Sequence, residues 1–248
     1  MSPLIALAAA GLAVAASPVL RVEAFRRSVP TGTPPRANCP RCDRAVVQRG
    51  PSWRYLGRFW SGKCISCGLR LGPPPAAVEA AAAASFAGLA LATDDALTLV
   101  AYSFLAAVGL VLAIIDVAVH RLPDRLTGLL AAGVVAVLMT QALVASAGRQ
   151  LLEAMAAGLG AALFYLLMSL LTAGGIGIGD AKLAFGLGVA VGWNGWAAAF
   201  LATTLGLLLT GVVACVLLVL SRADRKDSIA HGPFMVIAAI STLVMTNM

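Results

Sequence analysis

Long apolar segments separated by short polar ones make up most of the chain. Runs of about 17–25 apolar residues are long enough to cross a lipid bilayer as α-helices. The predicted membrane-spanning segments are residues 3–22, 76–93, 96–119, 126–147, 151–173, two helices within 181–220, and 229–248. We therefore predict an all-α, polytopic membrane protein with about eight transmembrane helices.

The segment 181–220 is predicted to form two helices, because it is too long to cross the bilayer once. Gly192, Asn194 and Gly195 are typical of a turn. Tryptophans beside them are typical of a membrane–water interface. These residues predict the end of the sixth helix and the start of the seventh.

Composition supports a membrane protein. Soluble domains are about half apolar and a quarter charged, whereas this chain is 60% apolar and 12% charged, with a mean hydropathy of +0.92. Lipid must therefore be the solvent for most of its surface. The net charge of +7 would suit nucleic acid, but the basic residues lie between apolar segments. We predict the lipid bilayer as a partner and no nucleic-acid binding.

The basic residues also predict the orientation. With eight spans, seventeen of the eighteen Lys and Arg residues fall on one side, and Arg149 falls on the other. Eleven of the seventeen lie between Arg21 and Arg70, and the remaining ones are Arg121, Arg125, Lys182, Arg222, Arg225 and Lys226. Because basic residues are enriched in cytoplasmic loops, we predict a multi-pass plasma-membrane protein with both termini outside. The predicted parts are a first helix at 1–23, a cytoplasmic loop at 24–75 and a helical domain at 76–248.

Four cysteines in the predicted cytoplasmic loop form two pairs, Cys39-x-x-Cys42 and Cys64-x-x-Cys67. Each pair places two thiolates on one tight turn, and two such turns complete a tetrahedral metal site. Because a reducing cytoplasm disfavours disulfides, we predict a structural Zn²⁺ ion that stabilises the loop. A redox dithiol is the alternative. Cys215, in the seventh helix, is predicted to be a small packing residue.

Three acids are predicted at one membrane face: Asp116, Asp124 and Asp180. Acidic residues are costly within a span and are therefore candidates for function. Asp116 lies about one turn from the end of the third helix, and Asp180 ends the glycine-rich stretch 174–180. Two carboxyls at a wet crevice suit an aspartyl protease, because one accepts a proton from water while the other hydrogen-bonds the attacked carbonyl.

The glycines before Asp180 have a predicted role of their own. Gly175, Gly177 and Gly179 would let the backbone approach a substrate strand closely and adopt positive φ. Irregular backbone at membrane depth is tolerated where it lines a cavity. Lys182 is a candidate active-site residue or a topology anchor.

Structural roles for the acids stay open. Asp124 is a candidate N-cap of the fourth helix, because Pro123-Asp124 is a typical helix start. Asp116 could pair with Arg121 or Arg125 at the membrane boundary, and Asp180 could be an N-cap of the sixth helix.

Three further polar residues are predicted to have no catalytic role. Glu79 is interpreted as an interfacial charge and His120 as a solvated loop residue. His231 is interpreted as a packing or hydrogen-bonding group. With these two histidines, no Ser–His or Cys–His arrangement is credible.

The motifs together resemble those of the type IV prepilin peptidases, which are related by motif to the GxGD membrane aspartyl proteases. The matching motifs are the two CxxC pairs, Ile115-Asp116, Leu122-Pro123-Asp124, Gly177-Ile178-Gly179-Asp180 with Lys182-Leu183, and His231-Gly232-Pro233-Phe234. The resemblance implies eight spans and a cytoplasmic active site that removes the basic leader of type IV prepilins or pseudopilins. It implies Asp116 and Asp180 as the catalytic acids.

The resemblance also implies a candidate second activity. Many members with the cysteine loop methylate the new N-terminus, with S-adenosylmethionine as cofactor. Residues 16–20 and 70–74 depart from the usual family pattern, whereas Glu79 matches the family's glutamate. A transporter with a proton relay and a non-catalytic membrane scaffold with a zinc loop are the alternative functions.

Overall fold

The computed structural model describes residues 3–30, 32–46, 62–74, 76–171, 177–220 and 229–247, and this part of the chain is helical. The helices are α1 (Pro3–Arg27), α2 (Ala77–Ala92), α3 (Ala96–Val119), α4 (Asp124–Val144), α5 (Gly148–Leu171), α6 (Ile178–Gly192), α7 (Trp196–Val219) and α8 (Gly232–Asn247). Extended pairing within the described ranges is confined to two isolated bridges in the cysteine loop. The all-α prediction is confirmed.

Within the described ranges, five helices are long and apolar enough to cross a membrane: α1, α3, α4, α5 and α7. The remaining three contain 15 or 16 residues, and at 1.5 Å per residue they are about 22–24 Å long. The polytopic membrane character is thereby confirmed. That α2, α6 and α8 also cross the bilayer stays a prediction.

The predicted turn between the sixth and seventh helices lies where the glycines indicated. α6 ends at Gly192 and α7 begins at Trp196. Gly195 between them has a φ of 101°, a left-handed conformation that favours glycine. The side chain of Gln150 in α5 donates a hydrogen bond to the Trp193 carbonyl at 2.8 Å and holds the turn in place.

Helix α6 lies at the centre of the bundle, packed against α4, α5, α7 and α8. Eleven of its fifteen residues are buried. It approaches α5 closely because glycines face each other, and a Cβ on Gly188 would lie 2.8 Å from the Gly158 Cα. Small residues at such contacts let membrane helices pack backbone to backbone. This packing fixes the helix that carries Asp180.

Replacing Gly158 with Ala is expected to destabilise the bundle. The new Cβ would lie 2.4 Å from a Val189 methyl and 2.8 Å from the Phe185 carbonyl oxygen, and overpacking of this kind costs about 1–3 kcal/mol. Thermal unfolding in detergent measures the effect. Gly160→Ala on the same helix is the matched control, because its Cβ would meet nothing within 4 Å. Equal melting temperatures for the two variants would contradict the packing argument.

A buried ion pair joins α1 to α2. Arg21 is 4% exposed, and its Nε and Nη2 donate to the two carboxylate oxygens of Glu79 at 3.0 and 2.7 Å. Its remaining donors bond the Pro73 and Pro74 carbonyls at 2.8 and 3.0 Å, and Ser17 donates to Glu79 at 3.0 Å. Glu79 is thus a charge with specific partners: its carboxylate is bonded by Ser17 and Arg21, and Arg21 also bonds the end of the cysteine loop.

Candidate active site

Asp116 lies in the last turn of α3 and is only 5% exposed. Its Oδ2 accepts a hydrogen bond from the backbone N–H of Gly232, the first residue of α8, at 2.9 Å. The pairing of Asp116 with Arg121 or Arg125 considered from the sequence is not seen among the described residues. Arg121 instead donates to the Val29 carbonyl at 2.8 Å.

Asp180 lies in the first turn of α6 and is 7% exposed. The N-cap of α6 is Gly177, so the alternative of Asp180 as the N-cap is wrong. Asp180 instead occupies the third helical position, and its Oδ2 accepts the backbone N–H of Gly177 at 3.0 Å. Each acid is thus held by a backbone N–H at the start of a helix, where the helix dipole favours negative charge.

Both acids line one open cleft of about 1030 Å³. They are close enough for their carboxyl groups to interact electrostatically. The other walls are the loop between α3 and α4, the residues before α6, the residues before α8, and residues 27, 29 and 32–35 at and after the end of α1. The cleft therefore places two buried acids from different helices at the edge of an open, peptide-sized space.

Gly177 and Gly179 line this cleft, but not in the predicted conformation. Gly177 has a φ of −78°, and neither residue is among the described glycines with positive φ. Gly179 permits a close approach within the protein, since a Cβ there would lie 3.1 Å from the Leu122 Cβ. Gly175 lies outside the described residues.

Asp124 and Lys182 form an ion pair at the rim of the cleft. Lys182 Nζ lies 2.7 Å from Asp124 Oδ1, and the side chains are 48% and 73% exposed. The N-cap of α4 is Pro123, with no side-chain cap hydrogen bond, so the interpretation of Asp124 as that N-cap is wrong. An exposed pair contributes about 0–1 kcal/mol, and here it connects α4 to α6 beside the acids.

The two histidines differ as predicted. His120 is exposed and ends α3 with a φ of 49°. His231 is buried, and its ring nitrogens contact Thr210 Oγ1 at 2.6 Å and Tyr165 Oη at 3.1 Å. Sequence analysis missed the contribution of Gly232 to Asp116. The sequence feature that marks this contribution is the His231-Gly232-Pro233-Phe234 motif, which contains the residue that donates to Asp116.

The four loop cysteines converge as predicted. Their sulfur atoms all lie within 4.8 Å of one another. Cys39 and Cys67 are 3.6 Å apart, and Cys42 and Cys64 are 3.7 Å apart. A tetrahedral ion with Zn–S bonds of about 2.3 Å requires sulfur atoms about 3.8 Å apart. The cluster can therefore hold a metal ion, and its geometry is compatible with structural zinc.

The two turns of the cluster are built alike. The N–H groups of Cys39 and Cys64 bond the carbonyls five residues later, Arg44 and Leu69, at 2.9 and 2.8 Å. The fifth residue of each turn has positive φ, Gly68 at 70° and Asp43 at 51°. Asp43 adopts this conformation although it is not a glycine, and its side chain accepts a hydrogen bond from Asn38 at 3.1 Å.

The charges of the cluster also suit a cation. Backbone N–H groups of Cys67 and Ser66 lower the pKa of Cys64 to about 6, although burial opposes them. The Leu69 N–H lowers the pKa of Cys67, but burial and the neighbouring cysteines raise it to about 11. Four thiolates cannot ionise together without a counter-charge, which a divalent metal would provide.

Cys215 has no part in this cluster. Its side chain is exposed on the outer face of α7. Its interpretation as a packing residue is therefore wrong. Six of the basic residues used for the orientation lie outside the described residues: Arg49, Arg54, Arg58, Arg222, Arg225 and Lys226.

Comparison with known proteins identifies the part of the chain that carries the acids. No curated protein and no solved structure gives a significant match. Residues 103–220 match the model of the type IV leader peptidase family, which supports a protease of the leader peptidase type. The resemblance to type IV prepilin peptidases is thereby confirmed. The matched residues 103–220 include both Asp116 and Asp180, so the part of the chain that carries the two acids is similar to the type IV leader peptidase family.

Proposed function

We propose that this protein is a membrane aspartyl endopeptidase that removes the basic leader from type IV prepilins or pseudopilins, with Asp116 and Asp180 as its catalytic acids. The observation that carries the proposal is the cleft that both buried carboxyls line, although they come from different helices. The match to the leader peptidase family supports the class of substrate.

The proposed chemistry needs one proton shared by the two acids. The ionised carboxylate accepts a proton from a water molecule, and the water oxygen bonds to the scissile carbonyl carbon. The protonated acid donates to the carbonyl oxygen and stabilises the tetrahedral intermediate. The intermediate then collapses, the C–N bond breaks, and a proton passes to the leaving amine. The products are a new carboxyl and a new amine, and the dyad returns to its singly protonated state.

The cluster of Cys39, Cys42, Cys64 and Cys67 is proposed to hold structural Zn²⁺. The support is the spacing of the sulfur atoms, which lie within 4.8 Å of one another. Nothing in the proposed peptide cleavage requires this ion. Its role is to fold the loop, whose final residues are bonded to Arg21.

N-methylation of the product is a second candidate function that depends on the family resemblance. The geometry of Glu79 favours a structural role instead, because Arg21 and Ser17 both bond its carboxylate. Mass spectrometry of the cleaved product, with and without S-adenosylmethionine, distinguishes a bifunctional enzyme from a pure peptidase.

The decisive experiment combines the purified protein in detergent with a pilin-like precursor. The resemblance to the type IV prepilin peptidases implies a cut after a glycine at the end of the leader. Loss of the leader with a cut at that glycine would support the proposal. A precursor with that glycine replaced is the control and should remain intact. Failure to cleave, by folded protein, would favour the alternatives of a transporter or a non-catalytic scaffold.

The orientation is a further prediction. We expect the cysteine loop and the loop after α3 to face the cytoplasm, and Arg149 to lie on the outer side, because basic residues are enriched in cytoplasmic loops and seventeen of the eighteen fall on one side. Reporter fusions placed near residues 125 and 149 should give opposite signals. A cysteine loop that reacts with an impermeant reagent in intact cells would overturn both the orientation and the argument for reduced, metal-binding thiols.

A further inference from the structure

The residues at the start of α8 hold one of the two acids in place. We propose that Gly232 and His231 are positioning residues for Asp116, with Thr210 and Tyr165 fixing His231 from two other helices. This inference rests on the proposed function for its catalytic meaning. The hydrogen bonds on which it depends can be measured without any substrate.

Gly232 suits its position beside Asp116 for two reasons: its N–H is a hydrogen-bond donor, and it has no side chain. Its N–H donates to Asp116 Oδ2 at 2.9 Å in a buried contact. A Cβ at this position would lie 2.9 Å from the same oxygen and 3.3 Å from a Leu122 methyl. Only a residue without a side chain therefore brings this N–H to the carboxylate. No other hydrogen bond to Asp116 is made by the described residues, and Asp116 is one of the residues that line the cleft.

His231 fixes the position of the backbone immediately before that N–H. The hydroxyl of Thr210 in α7 donates to the Gly206 carbonyl at 2.9 Å, so it accepts a hydrogen bond from His231 Nδ1 at 2.6 Å. In the neutral tautomer that carries its hydrogen on Nδ1, Nε2 accepts from the Tyr165 hydroxyl of α5 at 3.1 Å. The imidazole has a partner on each nitrogen, a satisfied state for a side chain that is 7% exposed.

The three contacts form a continuous chain from the bundle to the acid. Thr210 and Tyr165 hold the ring of His231, and the next residue, Gly232, holds the carboxylate of Asp116. His231 itself lines the cleft with both acids. A catalytic group displaced by about 1 Å can lose about a hundredfold in rate. The chain therefore has a direct consequence for the orientation of the acid.

Gly232→Ala is expected to lower kcat by about a hundredfold with little change in KM, because it displaces the acid and leaves the remainder of the cleft intact. Gly206→Ala is the matched control in the same region. Its Cβ would make ordinary contacts with Met235 at 3.6 Å and Ala238 at 3.7 Å. A Gly232→Ala protein with wild-type kcat would overturn the inference.

Thr210→Val and Tyr165→Phe each remove one hydrogen bond of His231 while keeping the side-chain shape. Each is expected to lower kcat by about five- to tenfold, the equivalent of one ordinary hydrogen bond, again with KM unchanged. A purely structural role would lower the melting temperature but leave kcat per folded molecule intact. That outcome would also overturn the inference.

A spectroscopic measurement separates this inference from the proposed function. In protein labelled with ¹⁵N-glycine, the Gly232 amide is assigned as the signal missing from Gly232→Ala. We expect this signal to move in Asp116→Asn and in Thr210→Val. If it moves but the wild-type protein cleaves no precursor, the contact stands and the proposed function fails. If the Gly232 amide signal does not move in Asp116→Asn, the positioning inference fails, whether or not the wild-type protein cleaves the precursor.

Discussion

Asp116→Asn and Asp180→Asn are each expected to abolish leader cleavage, with rates falling by about 10⁴-fold or more. The two carboxyls line one cleft and interact electrostatically, and neither can supply both the base and the acid of the proposed reaction. Because residues that act as one unit have non-additive effects, the double variant should lose little more than either single one. The measurement is the rate of leader loss from a pilin-like precursor in detergent.

Asp124→Asn is the matched control for these variants. Asp124 lines the same cleft, but its exposed carboxylate is paired with Lys182 at the rim. We expect this variant to retain measurable activity. Every variant must first be shown to insert and accumulate normally. Cleavage at a near wild-type rate by folded Asp180→Asn protein would require the aspartyl mechanism to be abandoned.

Loss of one cysteine of the cluster is expected to have the second-largest effect, on protein abundance. We expect about one zinc ion per chain in the wild-type protein and none in Cys64→Ser, because three thiolates form a much weaker site than four. Structural zinc sites contribute about 10–16 kcal/mol of binding free energy in small domains. The variant should therefore accumulate to a markedly lower level, while the molecules that survive keep most of their peptidase activity.

Elemental analysis and quantitative immunoblotting measure these two effects. Cys215→Ser is the control, because that thiol is exposed on α7 and is not one of the four that form the cluster. It should change neither zinc content nor abundance. A wild-type protein that is folded and active without bound metal would contradict the structural role of zinc.

The helical framework could be predicted because the bilayer imposes a simple rule on the sequence. A span must be apolar for its whole length, so the ends of α3, at Ala96 and Val119, coincide with the predicted ones. α1 departs from the prediction and continues to Arg27. Its basic residues had indicated an end at residue 22, but Arg21 and Arg27 are paired with Glu79 and Glu23. Charge pairing between distant residues is not visible in a hydropathy pattern.

In the candidate site, too, some features could be predicted from the sequence and others could not. Asp116 and Asp180 could be selected because an acid in a span is costly unless it is used. The partner of Asp124 could not be predicted, because Lys182 is 58 residues away and meets it only through the packing of α4 against α6. The hydrogen bond from the Gly232 N–H to Asp116 could not be predicted either, because every residue except proline has a backbone N–H and the sequence does not show which one is used. Side-chain chemistry was therefore predictable, and the contacts that orient it required the structure.

The ion pair between Arg21 and Glu79 has a consequence for how the protein is made. Arg21 lies near the end of α1 and is buried. A buried charge is costly unless it is paired, and the partner of Arg21, Glu79, is synthesised 58 positions later. The first helix can thus reach its final environment only after the second has left the ribosome. The two should enter the lipid as a hairpin, with the cysteine segment between them already in the aqueous phase and free to acquire its metal.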